Sequence, residues 1–340
     1  MKKNDIPRTR RVLVTGVGGF VGSHVADHCL ALGMEVVGID DFSGGSAENV
    51  PRGVEMVIGD LRDASLVRSL WDRGPFNCIY HLAAYAAESL SHYIRRFNYE
   101  NNLLASVNLL NEAVRHETEL FVFVSSSAVY GQGTEPLTEQ VLPRPFDPYG
   151  IAKYAFEMDL QAAHALFGIE YVIWRPHNIY GERQNIADHY RNVVGIFMNQ
   201  GLRGEPMTVV GDGFQSRAFS HVDDVAPWIA RSPLTPAARN QIFNIGAETS
   251  HTVLELAERV AAALGTPCRI RHLPARPEPS HLMVDHAKFR RIFGASEAVG
   301  LDEGIRKMAE WARGQKHRPT ARFEGIEILR NLPDHWRPAR

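Results

Sequence analysis

Apolar, β-branched runs alternating with longer helical stretches constrain this chain more than any other feature. RVLVTG (11–16), EVVGID (35–40), VEMVIGD (54–60), CIYHLAA (78–84), LFVFVSSS (120–127) and YVIWR (171–175) are near-continuously apolar. A strand without polar alternation must be covered on both faces, and a right-handed helical crossover between strands does this. Helical patterns lie between the runs at 20–32, ended by Gly33, and at 64–71, 99–117 and 149–167. The expected fold class is α/β, a doubly wound parallel sheet.

The alternation stops after Tyr180 and Gly181. A polar stretch at 182–190 precedes a helical pattern at 192–200, and Gly211-Asp212-Gly213-Phe214 marks a turn. Residues 221–230 and 241–246 read again as a helix and a strand able to rejoin the first sheet. With 340 residues, 44% of them hydrophobic, the chain has room for about two compact units that need no disulfide or structural metal. The expected organisation is a dinucleotide-binding unit over 1–180, joined by 218–246. A smaller, partly interleaved α/β unit takes 181–217 and 247–316, and 317–340 forms a peripheral tail.

Charge and cysteine usage exclude several classes. Thirty-seven Lys and Arg against 39 Asp and Glu, net −2, leave no basic excess for a phosphate backbone, so nucleic acid is not an expected partner. Cys29, Cys78 and Cys268 are odd in number and far apart, which fits neither a disulfide framework nor a zinc pattern. A reducing, cytoplasmic setting follows. The opening MKKNDIPRTRR lacks the apolar core of a signal peptide, and no apolar run reaches the roughly eighteen residues of a membrane span.

The turn after the first strand reads Thr15-Gly16-Val17-Gly18-Gly19-Phe20-Val21-Gly22. Gly16 permits the tight turn, Gly19 lets backbone approach a pyrophosphate, and Gly22 lets helix pack on strand. The sheet is therefore of Rossmann type. The second strand ends in Asp40, followed by Asp41, where a carboxylate accepts both hydroxyls of an adenosine ribose and repels a 2′-phosphate. NAD is thus favoured over NADP. Asp60, at the end of GDLRD, is placed to face the adenine, whereas Asp63 suits the cap of the next helix. The small residues of Leu82-Ala83-Ala84 let a fourth strand end lie against the cofactor. His24 and His28 stand four apart, but Val25 occupies the place a zinc protease gives to Glu, and no metal is expected.

Tyr149 and Lys153 stand one helical turn apart, so phenol and ammonium share a face and the positive charge favours the phenolate. Ser125-Ser126-Ser127 ends the fifth strand, where a hydroxyl can meet a substrate oxygen beside the tyrosine.

These pieces together resemble the extended short-chain dehydrogenase/reductase superfamily, in its nucleotide-sugar epimerase and dehydratase branch. The matching strings are VTGVGGFVGSHV, GIDDFSGG, GDLRD, HLAA, SSSAVYG, PYGIAK, RPHNIYGERQN, VVGDGFQSRAFSHVDDVA and FNIG, spread from 12 to about 246. The resemblance implies that Ser126 is the catalytic hydroxyl, with Ser125 and Ser127 as neighbouring choices. It implies Tyr149 as base and Lys153 as its ribose-binding partner. Phe20, Val21, Ser43, Leu61, Asn102 and His177 join the cofactor site on this reading. Asn178, Asn192, Arg217 and Arg276 hold a sugar diphosphate, the arginines as bidentate donors, and the Arg276 region departs from the family pattern. Tyr85, Ser89, Leu282 and Met283 are expected in the sugar-pocket wall, and the helices at 99–117 and 149–167 to pair two copies into a homodimer.

Departures next to Ser126 separate the branches. The resemblance gives 4,6-dehydratases an Asp–Glu pair after the hydroxyl residue and UDP-glucuronate decarboxylases a Glu at the second place, where this chain has Ser127 and Ala128. The expected activity is C4 epimerisation of a UDP-sugar through a 4-keto intermediate, of the UDP-glucose/UDP-galactose type. An epimerase of a UDP-N-acetylhexosamine or UDP-uronic acid, a 4-keto reductase and a non-catalytic NAD-binding protein stay open at this stage.

Overall fold

A computed structural model of the chain describes residues 10–131, 136–275, 281–294, 298–315 and 323–337. Strands β1 (Arg11–Thr15), β2 (Glu35–Asp40), β3 (Glu55–Ile58), β4 (Cys78–His81), β5 (Leu120–Val124), β6 (Glu170–Pro176) and β7 (Gln241–Ile245) form one parallel sheet. Their order is β7-β6-β5-β4-β1-β2-β3. Connections run outward in opposite directions from β1 and β4, so a crevice opens beyond their carboxyl ends, where such sheets take ligands.

The helices, in chain order, are α1 (Phe20–Ala31), α2 (Ala64–Ser69), α3 (Glu88–Ser91), α4 (Arg95–Tyr99), α5 (Ala105–Arg115), α6 (Pro148–Phe167), α7 (Val193–Leu202), α8 (Ala226–Ala230), α9 (Val253–Leu264), α10 (Ala287–Phe293) and α11 (Leu301–Arg313). On one sheet face Val25, Ala26 and Cys29 of α1 pack with Ile229 and Ala230 of α8 against Val12, Val14 and Tyr80. On the other, Leu109 and Ala113 of α5 and Phe156 and Leu160 of α6 cover Leu13, Ile79 and Phe121. Burial of each such Leu, Ile or Phe side chain stabilises the fold by about 1.5–3 kcal/mol.

Two stretches differ from the periodic reading. The 99–117 pattern is not one α-helix: α4 leads into a π-helical turn at Glu100–Leu104 before α5 begins. The wider turn lets Asn102 accept a hydrogen bond from Tyr85 N (2.8 Å) and donate to Asn98 Oδ1 (2.8 Å). Residues 221–230 divide into a short strand Ser220–His221, paired with Ile179–Tyr180, a tight turn at Val222–Asp224 and the short helix α8. Pro227, which has no N–H to donate, falls in the first turn of α8.

The remaining elements gather beside the sheet. Met207–Val210 pairs with Ile270–Leu273, and Ser216–Ala218 pairs with Ser250–Thr252 and His281–Leu282. Helices α7, α9 and α11 enclose their own core of Phe197, Leu256, Val260 and Met308. The segment that the sequence marks as a peripheral tail is not peripheral over 323–337. Leu332 and Trp336 are buried in a cluster with Ala87, Leu90, Ile94 and Tyr190. Its anchors are isolated side chains in irregular backbone, which carry no periodicity. Among the described residues no helix is long and apolar enough to cross a membrane.

Candidate active site

A cleft of about 840 Å³ is lined by the residues that follow each of the first six strands: Gly16, Asp41, Gly59, Leu82, Ser125 and Asn178 among them. This size lies within the range of clefts that take a small-molecule ligand or cofactor. Gly16, Gly19, Phe20, Val21, Gly22, Asp40, Asp41, Ser43, Asp60, Leu61, Leu82, Ala83 and Ala84 all face one part of it. Asp40 accepts the Gly18 N–H at 2.9 Å through one oxygen and the Phe42 N–H at 2.7 Å through the other. Burial raises its pKa, and those two N–H groups pull it back down. Asp41 accepts from the Ser43 N–H and hydroxyl at 2.8 and 2.6 Å. Asp60 is held by Arg62, whose backbone N–H and Nε donate at 2.8 Å each, while Asp63 caps α2 through Ser65 N and Leu66 N.

Tyr149 sits in the first turn of α6 because Asp147 caps that helix at Gly150 N (2.9 Å) and Pro148 starts it. Its own N–H donates to Ser91 Oγ at 3.2 Å. Burial pushes the phenol pKa up, Ser126 hydrogen bonding and the Arg191 charge oppose this, and Glu88 and Asp147 add to it. Lys153 is buried, its Nζ donating to Val124 O at 2.9 Å and lying 5.9 Å from the Tyr149 ring centre. Burial brings its pKa down to about 7, against the pull of Glu157. Spacing alone assigns the phenol's pKa to the ammonium; in the structure burial dominates both groups, disfavouring charge on each.

The three serines divide by partner. Ser125 Oγ donates to the buried Glu157 at 2.5 Å, and Ser127 is buried in the tight turn Ser127–Tyr130. Ser126, extended at φ −162°, accepts from Ala128 N at 3.1 Å, lines the cleft with Tyr149, and is the serine whose hydroxyl lowers the Tyr149 pKa.

Asn178, Asn192 and Arg217 line the cleft beyond these groups. Asn178 has φ +41°, a left-handed conformation that Asn tolerates, and donates to Ala218 O at 3.1 Å. Asn192 spends its amide capping α7, accepting from Val194 N (2.9 Å) and donating to Ile179 O (2.7 Å), so it shapes that helix start. Tyr85 and Ser89 face the cleft, whereas Met283 is exposed and pairs its carbonyl with Leu137 N. Asn102 and His177 do not line it. Asn102 is occupied with Tyr85 backbone and Asn98, and the His177 ring is buried against His286 and Ala218 O. Arg276 lies outside the described residues. His24 meets Glu182 O at 3.0 Å, and among the described residues no group of three or more His, Cys, Asp or Glu is placed to hold a metal ion.

The model of the NAD dependent epimerase/dehydratase family matches residues 12–246. The chain belongs to this family. It is 33% identical to a UDP-glucose 4-epimerase of Mycolicibacterium smegmatis, over 90% of this chain and 99% of the relative. Its structure is similar to that of a Thermus thermophilus UDP-glucose 4-epimerase complexed with NAD, with a TM-score of 0.82 and 34% identity, covering 89% and 99% of the two chains. A UDP-N-acetylglucosamine 4-epimerase from Methanobrevibacter ruminantium, in complex with UDP-N-acetylmuramic acid, aligns with a TM-score of 0.81 and 30% identity over 91% and 99%.

NAD is the cofactor of this epimerase/dehydratase chain, and the residues present fit it. A Cβ on Gly22 would stand 2.0 Å from Gly16 O, and one on Gly16, at φ +71°, 2.9 Å from the Ala83 backbone. The glycines thus keep β1, β4 and α1 closer than any side chain allows. Helix α1 begins at Gly19 with no side-chain cap and no acidic residue in its first turn, leaving N–H groups for a pyrophosphate.

The cleft and its support include residues the motifs did not single out. Arg191 lines the cleft, stacks 4.7 Å from the Tyr85 ring and pairs with Asp188 at 2.8 Å. Its place directly before the α7 cap was the available signal. Glu157 continues the Tyr149, Lys153 series by one more helical turn, so its face was readable from spacing alone.

Proposed function

We propose that this enzyme interconverts the C4 epimers of a UDP-sugar, of the UDP-glucose and UDP-galactose type. The observation that carries the reading is the reactive set itself. Ser126, Tyr149 and Lys153 line one cleft, and the two positions after Ser126 bring Ser127 and Ala128 instead of an acid. Such a set suits reversible oxidation of one hydroxyl and lacks the neighbouring acid for loss of water.

Tyr149 takes the 4-hydroxyl proton, with Ser126 hydrogen-bonded to the same oxygen. The Gly16–Gly22 turn and Asp40 would hold NAD, which would supply a positively charged, reversible two-electron acceptor for the C4 hydrogen. Asn178 and Arg217, beside the start of α7, keep the diphosphate in place while the 4-keto ring turns, so that C4 is reduced from its opposite face. The phenol then gives its proton back. Burial makes this exchange favour neutral groups, so a cationic ring beside Tyr149 is what draws the phenolate form.

The test is nuclear magnetic resonance of the anomeric signals with UDP-glucose, UDP-N-acetylglucosamine, UDP-glucuronate and GDP-mannose offered separately. UDP-galactose is expected from the first. In Tyr149→Phe, turnover falls by about 10²–10⁴-fold with UDP binding retained. Wild-type turnover in that variant overturns the assignment. We also propose a cytoplasmic homodimer paired through α5 and α6, a reading supported by exposed Leu104 just before α5 and Met158 and Ile151 on α6. Sedimentation showing monomer alone at micromolar concentration excludes the pairing.

A further inference from the structure

Residues 323–337 are fastened to one rim of the cleft. Glu327 accepts the N–H groups of Arg96 and Phe97 at 2.9 and 2.8 Å, providing the side-chain cap that Ile94, the residue before α4, does not. The Glu327 and Ile328 N–H groups both reach Tyr93 O, at 2.8 and 3.2 Å, and the Tyr93 phenol donates to Asn331 O at 2.7 Å. Phe323 lies 4.8 Å from Phe97 and 5.4 Å from Tyr85, ring centre to ring centre. Trp336 lies 5.3 Å from Tyr190 and 6.1 Å from Tyr93 and is 6% exposed. Pro333, His335 and Trp336 line the cleft.

The stretches so joined are both cleft walls. One runs from Tyr85 to Phe97 and includes Ser91, bonded to the Tyr149 backbone, and Glu88, whose charge is felt at the Tyr149 phenol. The other is His189–Tyr190, next to Arg191. The hydrogen bonds and ring contacts named above go to these stretches, and none goes to the glycine turn, Asp40 or Asp60. The segment therefore acts on the side of the cleft where the reacting sugar lies.

We propose that the His335–Trp336 tip completes the substrate pocket, making Trp336 a specificity- and retention-determining residue for the nucleotide sugar. The proposal rests on the epimerase reading for its consequence in turnover. Oxidation at C4 moves the hydroxyl proton to Tyr149 and the C4 hydrogen with its electron pair to NAD. The hydride returns to C4 and the proton to its oxygen only if the keto sugar stays bound. A sugar that escapes leaves the cofactor reduced and the enzyme stopped. A wall over the sugar thus matters more to completion of the cycle than to its first half.

The experiment uses the full-length, NAD-loaded enzyme with UDP-glucose, comparing wild type with Trp336→Ala, Trp336→Phe and Glu327→Ala. Three quantities are read: KM and kcat, calorimetric affinity for UDP-glucose, and the near-ultraviolet absorbance of reduced nicotinamide during turnover. Trp336→Ala is expected to weaken UDP-glucose binding about tenfold or more and to accumulate reduced cofactor, with NAD content unchanged. Trp336→Phe restores most of both. Glu327→Ala removes the anchor without touching a cleft side chain and gives the same signature in weaker form, which also carries the test if Trp336→Ala does not fold. Wild-type affinity together with no reduced cofactor in Trp336→Ala, or in Glu327→Ala where the former is unfolded, overturns the proposal. If wild type epimerises no UDP-sugar, the functional reading fails instead, and the calorimetric comparison alone decides the wall.

Discussion

The imidazoles of His177 and His286 meet Nε2 to Nε2 at 3.1 Å, stacked with ring centres 5.2 Å apart. His177 Nδ1 faces Ala218 O at 3.1 Å, so that nitrogen carries the proton, its Nε2 accepts, and His286 donates. A second proton on His177 sets two N–H groups against each other, and a charge on either ring faces the other imidazole in a buried site. Burial accordingly lowers His177 to about 4, and burial with the neighbouring ring lowers His286 to about 3. His81, buried between Thr15 and Ser106, is lowered by burial to about 3. In the unfolded chain all three titrate near 6.5, so between there and about 4 the unfolded state binds more protons. Stability is full above pH 6.5 and falls as the pH drops, by up to about 1.4 kcal/mol per pH unit for each group. Urea unfolding at pH 7 and pH 5 checks this, and equal midpoints would falsify it.

His221 carries the opposite sign. Burial opposes its charge, but Asp223 at 3.4 Å and Glu182 at 3.3 Å together outweigh it and raise the ring to about 9. Lys307 of α11 joins Asp223 at 2.8 Å, so the cluster ties α11 to the sheet's edge elements. The stability this ring contributes is whole below about pH 6.5 and is lost as pH rises to about 9. In His221→Gln the decline in unfolding midpoint between pH 7 and 9 is expected to flatten. A decline of wild-type steepness in the variant excludes the assignment.

What the sequence made legible follows from how each feature is encoded. The seven parallel strands and the glycine turn rest on local pattern, and both stand where spacing puts them, as does the Tyr149 and Lys153 pair on α6. The residues that pattern could not place owe their position to partners far along the chain. Motif position puts His177 in the cofactor site, yet its ring turns to His286, 109 positions away. Asn102 has the same expected place, but the π-helical turn directs it onto Tyr85 backbone. The C-terminal segment is the extreme case, since Glu327 caps a helix 230 positions upstream and no periodicity encodes such a contact.

We propose that Asp40 sets the cofactor preference. Each of its oxygens accepts one backbone N–H, and the carboxylate lines the cleft, where on this proposal it accepts from a ribose diol and repels a 2′-phosphate. Asp40→Ala is expected to weaken NAD binding and to lower the NAD over NADP affinity ratio by at least about tenfold, a difference of about 1.4 kcal/mol. Calorimetric titration of both dinucleotides reads the ratio. An unchanged ratio removes Asp40 from the ribose site.

Glu157 and Arg175 form an ion pair beside Ser125, and both are almost wholly buried. Arg175 donates Nε and Nη2 to the two carboxylate oxygens at 3.0 and 2.5 Å, while its Nη1 donates to the Tyr130 hydroxyl at 2.9 Å. That hydroxyl donates to Asn244 Oδ1 at 2.7 Å, on β7, and Ser125 donates to Glu157. The pair therefore ties α6, β6 and β7 to Ser125, the residue that follows β5. Removing one partner leaves the other charge buried without compensation, whereas removing both removes the desolvation cost as well. Glu157→Gln is expected to lose about 3–5 kcal/mol, and Glu157→Leu combined with Arg175→Met to lose clearly less than the two single changes added. Urea denaturation of the four proteins of that cycle measures the coupling. Strict additivity would show that the two side chains are stabilised separately by Ser125 and Tyr130, and that the network is not one unit.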